Sequence, residues 1–153
     1  MSGYSTIVVP QGISYVAAAI FSNVCLLTWQ SYKAGFARKA ARIPYPQLYA
    51  EKAEAQASKE AHRFNCAQRA HQNTLEQLPI VLISTILVGL KRPILAASLC
   101  GAWSFARVLY TIGYATGDPE RRNTSGGALF YLAQLGLLFS AAYTTVEYLV
   151  AGL

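Results

Sequence analysis

The sequence predicts an all-α integral membrane protein, one domain of about four transmembrane helices. Three observations carry this reading. Of the 153 residues, 54% are hydrophobic and only 13% charged, where a soluble domain carries about 25% charged residues. The charges gather between apolar segments rather than spreading over the chain. Those segments approach the roughly 20 residues that a helix needs to cross a hydrocarbon core of about 30 Å. A chain of 153 residues suits one domain and not two. The net charge of +6 points to anionic lipid headgroups or an anionic substrate and away from nucleic acid, because it does not lie on a soluble surface.

The first helix runs from about Ile13 to Tyr32 and holds no charged side chain. Pro10 and Gly12 mark its start; Lys33, Gly35 and Arg38 mark its exit. Tyr4 and Tyr15 suit a membrane interface. No basic residue precedes Lys33, so the positive leader of a signal peptide is missing and the segment is expected to be retained. Pro44 and Pro46 break the following polar connection, and Leu48 to Glu60 favours a short surface helix or a lead-in by propensity.

The second helix, about 59–90, joins two materials. HRFNCAQRAHQNTLEQ (62–77) is mostly polar, and LPIVLISTILVGL (78–90) almost wholly apolar. At about 1.5 Å per residue the apolar part reaches only about 20 Å, so the polar half must enter the membrane-facing part of the bundle, with a kink expected at Pro79. A tight turn at Lys91–Arg92 leads to Pro93, suited to the first position of a third helix, about 93–115. Gly117 and Pro119 end it. Thr124 or Ser125 is expected to cap a fourth helix, about 128–150, in which Glu147 is the only charge and is expected to snorkel or cap.

Of the 13 Lys and Arg residues, the first and third connections carry Lys33, Arg38, Lys39, Arg42, Lys52, Lys59, Arg63, Arg121 and Arg122, while the opposite side carries Lys91 and Arg92. This asymmetry predicts that the first and third connections face the cytosol. Cys25, Cys66 and Cys100 lie far apart within predicted helices and read as reduced packing residues. His62 and His71 read as solvated interface residues, and no spacing suggests a metal.

Ionisable groups inside a membrane helix cost several kcal/mol unless paired or wetted, so each demands a reason. At about 100° per residue, His62, Arg69, Asn73 and Glu76 fall within about 60° of one another. Arg69 and Glu76 stand about two turns apart, too far to neutralise each other side by side on this reading, and a zwitterionic ligand between them satisfies both. Trp103, Arg107, Tyr110 and Tyr114 share a stripe of the third helix, and Arg121 lies just past its end. Structural readings stand beside these: interhelical glue for Arg69 and Glu76, interfacial anchoring for the tyrosines, positive-inside charge for Arg121 and Arg122, and an ion pair with Glu76 for Arg107.

The run Phe64-Asn65-Cys66-Ala67-Gln68-Arg69-Ala70-His71-Gln72-Asn73-Thr74-Leu75-Glu76, closing at Pro79, and the run Phe105-Ala106-Arg107-Val108-Leu109-Tyr110-Thr111-Ile112-Gly113-Tyr114 together resemble the helix signatures of the membrane-associated proteins in eicosanoid and glutathione metabolism (MAPEG). The Ala37–Lys39 run and the loop lengths fit as well, so the resemblance covers nearly the whole chain. It implies a four-helix bundle assembled as a homotrimer in the endoplasmic reticulum membrane, or alternatively the mitochondrial outer membrane, with glutathione as co-substrate bound between subunits near the cytosolic face and no metal. Carried over residue by residue, Arg69, Asn73 and Glu76 hold glutathione, Tyr110 and Tyr114 flank it, Arg38 reaches a carboxylate from the adjacent subunit, and Arg121 stabilises the thiolate. The implied activity is glutathione transfer to lipophilic electrophiles, with peroxidase activity towards lipid hydroperoxides. Gln77 stands where some relatives place a tyrosine, and Lys39 and His71 depart from the leukotriene-synthesising branch; these departures weaken the alternative, a leukotriene C4 synthase-type conjugation of a lipid epoxide. A non-enzymatic scaffold binding lipid or a partner protein through the same groove is the rival class.

Overall fold

The computed structural model describes residues 9–124 and 126–152; Tyr4 and Ser125, expected at an interface and at a helix cap, lie outside them. The described chain is all-helical: α1 (Ile13–Ala41), α2 (Lys52–Ala57), α3 (Lys59–Gly89), α4 (Pro93–Tyr114), α5 (Arg121–Thr124) and α6 (Leu129–Ala151). Three of these, α1, α4 and α6, are long and apolar enough to cross a membrane. α3 is long enough but begins with the polar half already noted.

α1 starts where expected, with Gly12 in the left-handed region (φ 90°) as its N-cap. It continues to Ala41, nine residues beyond the expected end at Tyr32. Charge marks departure from hydrocarbon, not the end of a helix: Lys33–Ala41 is rich in helix formers, and Arg38 and Lys39 in the last turn oppose the negative end of the helix dipole. The buried positions Val16, Ala19, Asn23, Leu26, Gln30, Ala34 and Arg38 form one stripe at three- and four-residue spacing, while Phe21, Val24, Tyr32 and Phe36 stay exposed.

α2 is the expected short surface helix, opened by a reciprocal capping box between Glu51 and Glu54. The Ser58 side chain then accepts from the Ala61 N–H at 3.2 Å to start α3. α3 runs unbroken through Pro79. Beside Phe64, Val81 and Val88, its buried face carries small residues, among them Ala61, Ala67, Ala70, Ser84 and Gly89, which let neighbouring backbones approach where lipid tails compete equally for apolar surface.

Pro93 sits in the first turn of α4, as expected. α4 is central, packing on α1, α3 and α6, whereas α1 and α6 do not touch each other among the described residues. Its fully buried Trp103 anchors a core with Leu26, Val81, Phe130 and Leu137. The Trp103 indole N–H donates to Gln134 Oε1 (3.2 Å) and the Gln134 amide donates to Gln77 Oε1 (2.7 Å), a relay across α4, α6 and α3. α6 begins without a side-chain cap: Thr124 belongs to α5 and donates back to the Arg121 carbonyl, and the chain turns through Gly126 and Gly127 before α6 starts. At the far end Glu147 neither snorkels nor caps but accepts two bonds from Arg92 (2.7 and 2.9 Å), joining α6 to the α3–α4 turn.

Candidate functional site

The polar half of α3 carries Arg69, Asn73 and Glu76 on one face. Arg69 Nη1 lies 2.8 Å from Glu76 Oε1, with the two side chains 44% and 41% exposed. The expectation that these groups stand too far apart to pair is therefore corrected. Seven residues separate the backbones by about 10 Å, and two long side chains folded towards each other close that gap.

Asn73 lies between them and faces the bundle with its oxygen. Asn73 Oδ1 accepts from Arg107 Nη1 at 3.0 Å. Arg107 is fully buried; its Nε and Nη2 donate to Thr74 Oγ1 at 3.1 and 2.7 Å, and Nη2 also reaches the Ala70 carbonyl at 3.5 Å. The Tyr110, Phe130 and Trp103 rings surround its guanidinium at 4.2, 4.7 and 5.7 Å. The ion pair expected between Arg107 and Glu76 does not form, because Glu76 is taken by Arg69 and neutral oxygens and ring faces receive Arg107 instead.

On α4, Tyr110 is buried and stands edge-on to Tyr114 (5.7 Å) and to Phe130 (5.6 Å); within the chain it is core rather than an interfacial anchor. Past α4 the connection folds back. A Cβ on Gly113 would collide with the Arg121 carbonyl, and one on Gly127 with the Arg122 carbonyl, so these two glycines permit the close approach. His62 Nε2 meets the Gly117 carbonyl at 3.0 Å, and Arg63 Nε donates to the Thr116 carbonyl at 3.1 Å, fastening the same connection to α3. The result distinguishes the two arginines. The Arg122 guanidinium stands 5.5 Å from the Tyr114 ring and donates to the Pro119 carbonyl at 2.6 Å. The Arg121 side chain is 63% exposed and its Nε lies 3.5 Å from Asp118 Oδ2.

Arg38 makes its contacts elsewhere. It is buried, sandwiched between the Tyr45 and Phe64 rings, and donates to the Gln47 (2.5 Å) and Leu48 (3.3 Å) carbonyls of its own chain. It thereby holds the connection that carries Tyr49. The Tyr49 hydroxyl donates to Gln72 Oε1, and the Asn65 side chain accepts from the Ala50 N–H and donates to the Ala50 carbonyl at 2.7 and 2.8 Å. Sequence reasoning missed this docking, since a loop tyrosine has no periodicity to betray it. It also passed over Gln30, whose amide donates to Thr74 Oγ1 (2.8 Å) and Thr111 Oγ1 (2.7 Å). Asn23 and Gln30, the two side-chain amides one heptad apart in a span without charge, were the available signal.

An open apolar groove of about 730 Å³ lies between α1 and α4, lined by Phe21, Cys25, Trp29, Phe105 and Val108 among others. None of the charged residues above lines it. The arrangement as a whole offers a half-exposed pair of opposite charges, a buried guanidinium behind it, and a second guanidinium beside Tyr114: groups that can grip a small ligand of mixed charge and favour an anion next to it. The MAPEG family model matches residues 16–143.

Proposed function

Because the chain belongs to the MAPEG family, which includes membrane glutathione transferases and related enzymes, we propose that it is a membrane-bound glutathione transferase with glutathione peroxidase activity, of the type-three microsomal branch that its two signature runs resemble. The observation that carries this reading is the Arg69–Asn73–Glu76 face. A half-exposed ion pair contributes about 0–1 kcal/mol, so opening it costs little, and a ligand that brings its own carboxylate and ammonium replaces both partners. Glutathione carries those groups and a thiol.

In this reading Arg69, Asn73 and Glu76 hold the peptide, Tyr110 and Tyr114 border it, and the Arg121–Arg122 pair supplies the cation for the sulfur. Arg122, beside Tyr114, is the better placed of the two for direct contact, and Arg38 serves by organising the Tyr49 connection. A free thiol has a pKa of about 8.5 and attacks as thiolate; a permanent cation nearby lowers that value. Attack on an epoxide forms the S–C bond as the C–O bond breaks, and the alkoxide takes a proton. With a lipid hydroperoxide, two glutathiones become the disulfide while the peroxide becomes an alcohol and water. The proposed setting is a homotrimer in the endoplasmic reticulum membrane with the site on the cytosolic side.

The first test is thermal unfolding of detergent-solubilised protein. Millimolar reduced glutathione is expected to raise Tm by several degrees, because a ligand bound only by the folded state stabilises it. The same preparation is expected to consume glutathione with a lipid hydroperoxide or a halo-aromatic electrophile. Absence of both effects would return the polar face to a scaffold role.

A further inference from the structure

We propose that Arg107 is a positioning residue: it fixes the Asn73 amide with its NH2 turned outward, so that Asn73 serves the bound ligand only as a hydrogen-bond donor, to an acid or carbonyl oxygen. The inference rests on the glutathione reading for the identity of the ligand, but its geometric half stands apart from it.

A guanidinium has N–H donors and no acceptor. That of Arg107 is wholly buried, and it places Nη1 3.0 Å from Asn73 Oδ1 while Nε and Nη2 are occupied by Thr74 and Ala70. Turning the Asn73 amide over would set its NH2 against a buried N–H donor, two like groups facing each other. One orientation of the amide therefore survives on chemical grounds alone. Among the described residues the outward Nδ2 finds no acceptor. Its helical neighbours are Arg69 one turn before and Glu76 one turn after. An oxygen accepting from Nδ2 on the Arg69 side meets a second cation, whereas an ammonium group is turned away by both and directed to Glu76. The face is thus polarised, acid group towards Arg69 and Asn73, amine towards Glu76. Arg107 sets this polarity without touching the ligand.

No carboxylate stands against Arg107 within the described residues; its charge is met by neutral oxygens and ring faces. This makes one substitution diagnostic. Asn73→Asp replaces the neutral oxygen on the guanidinium with an anion and at the same time removes the outward donor. The ligand-free Asn73→Asp protein is expected to melt above wild type, since a buried cation gains its missing partner. Its affinity for reduced glutathione is expected to fall at least about 10-fold, the loss of one charge-assisted bond together with repulsion of the ligand's acid group. Asn73→Leu, which removes both oxygen and NH2, is expected to melt below wild type and to lose affinity similarly. A protein that is stabilised yet binds poorly separates positioning from a merely structural role. Thermal melts without ligand and calorimetric titration with reduced glutathione read both arms. The proposal is overturned if Asn73→Asp melts no higher than Asn73→Leu, or if Asn73→Asp binds glutathione as wild type does. Failure of wild type itself to bind glutathione would overturn the functional reading and leave the melting contrast to decide the amide orientation.

Discussion

At the scale of single residues, the two arginines after α4 show how one position in sequence changes chemistry. The fold-back of the connection turns Arg122 towards the Tyr114 ring and leaves Arg121 outward beside Asp118. The family resemblance aligns Arg121 with the thiolate role but leaves the register open by one residue, and the sequence cannot see the turn that separates the two. Arg122→Ala is expected to raise the thiol pKa of bound glutathione by roughly one unit, lowering its thiolate fraction at neutral pH several-fold, with glutathione still bound. Arg121→Ala is expected to leave that fraction within about 2-fold, as befits an exposed charge. Ultraviolet difference absorbance of the thiolate measures both, and the reverse order would restore Arg121 as the contact. Arg69, Asn73, Glu76, Tyr110 and Tyr114 were legible as stripes because helical periodicity dictates which residues share a face. Their partners were not, because a side chain of arginine length chooses among several neighbours, and only packing decides that Glu76 goes to Arg69 while Arg107 goes to Asn73 and Thr74.

At the scale of elements, the apolar runs located α1, α4 and α6, and the Pro93 start and the α3–α4 turn followed from their own chemistry. What escaped the sequence was the behaviour of chain outside hydrocarbon. The last turns of α1 carry charge but keep helical hydrogen bonds, and the connections before α3 and after α4 are docked rather than loose. Gly113 is the key to one of them. A methyl group there would strike the Arg121 carbonyl and push the connection off α4. Gly113→Ala is expected to cost about 1–3 kcal/mol, in the range of overpacking, and to expose the Arg121 and Arg122 peptide bonds. Limited trypsin digestion should then cut in that connection several-fold faster than in wild type, with glutathione turnover falling in parallel; unchanged cleavage would show that the glycine has no such role.

Across the whole molecule, polar contacts join the helices beside small apolar clusters at each end, as expected where lipid offers no hydrophobic reward for association. The Arg92–Glu147 pair closes the end remote from the site. Glu147→Gln is expected to lower Tm by no more than a few degrees, the pair being partly exposed, and to leave glutathione affinity unchanged; a loss of affinity would reveal coupling between the two ends. Near the other end, the single Gln30 amide reaches hydroxyls on both α3 and α4. Its consequence concerns assembly. Helices already inserted in a bilayer can slide past one another along their axes, since one apolar surface substitutes for another and for lipid. A donor that must find two hydroxyls at the same depth removes that freedom, much as a vernier mark admits one reading. Only one vertical alignment of α1, α3 and α4 gives both N–H groups of the amide an acceptor, and the same alignment sets Arg69, Asn73 and Glu76 level with the tyrosines opposite them.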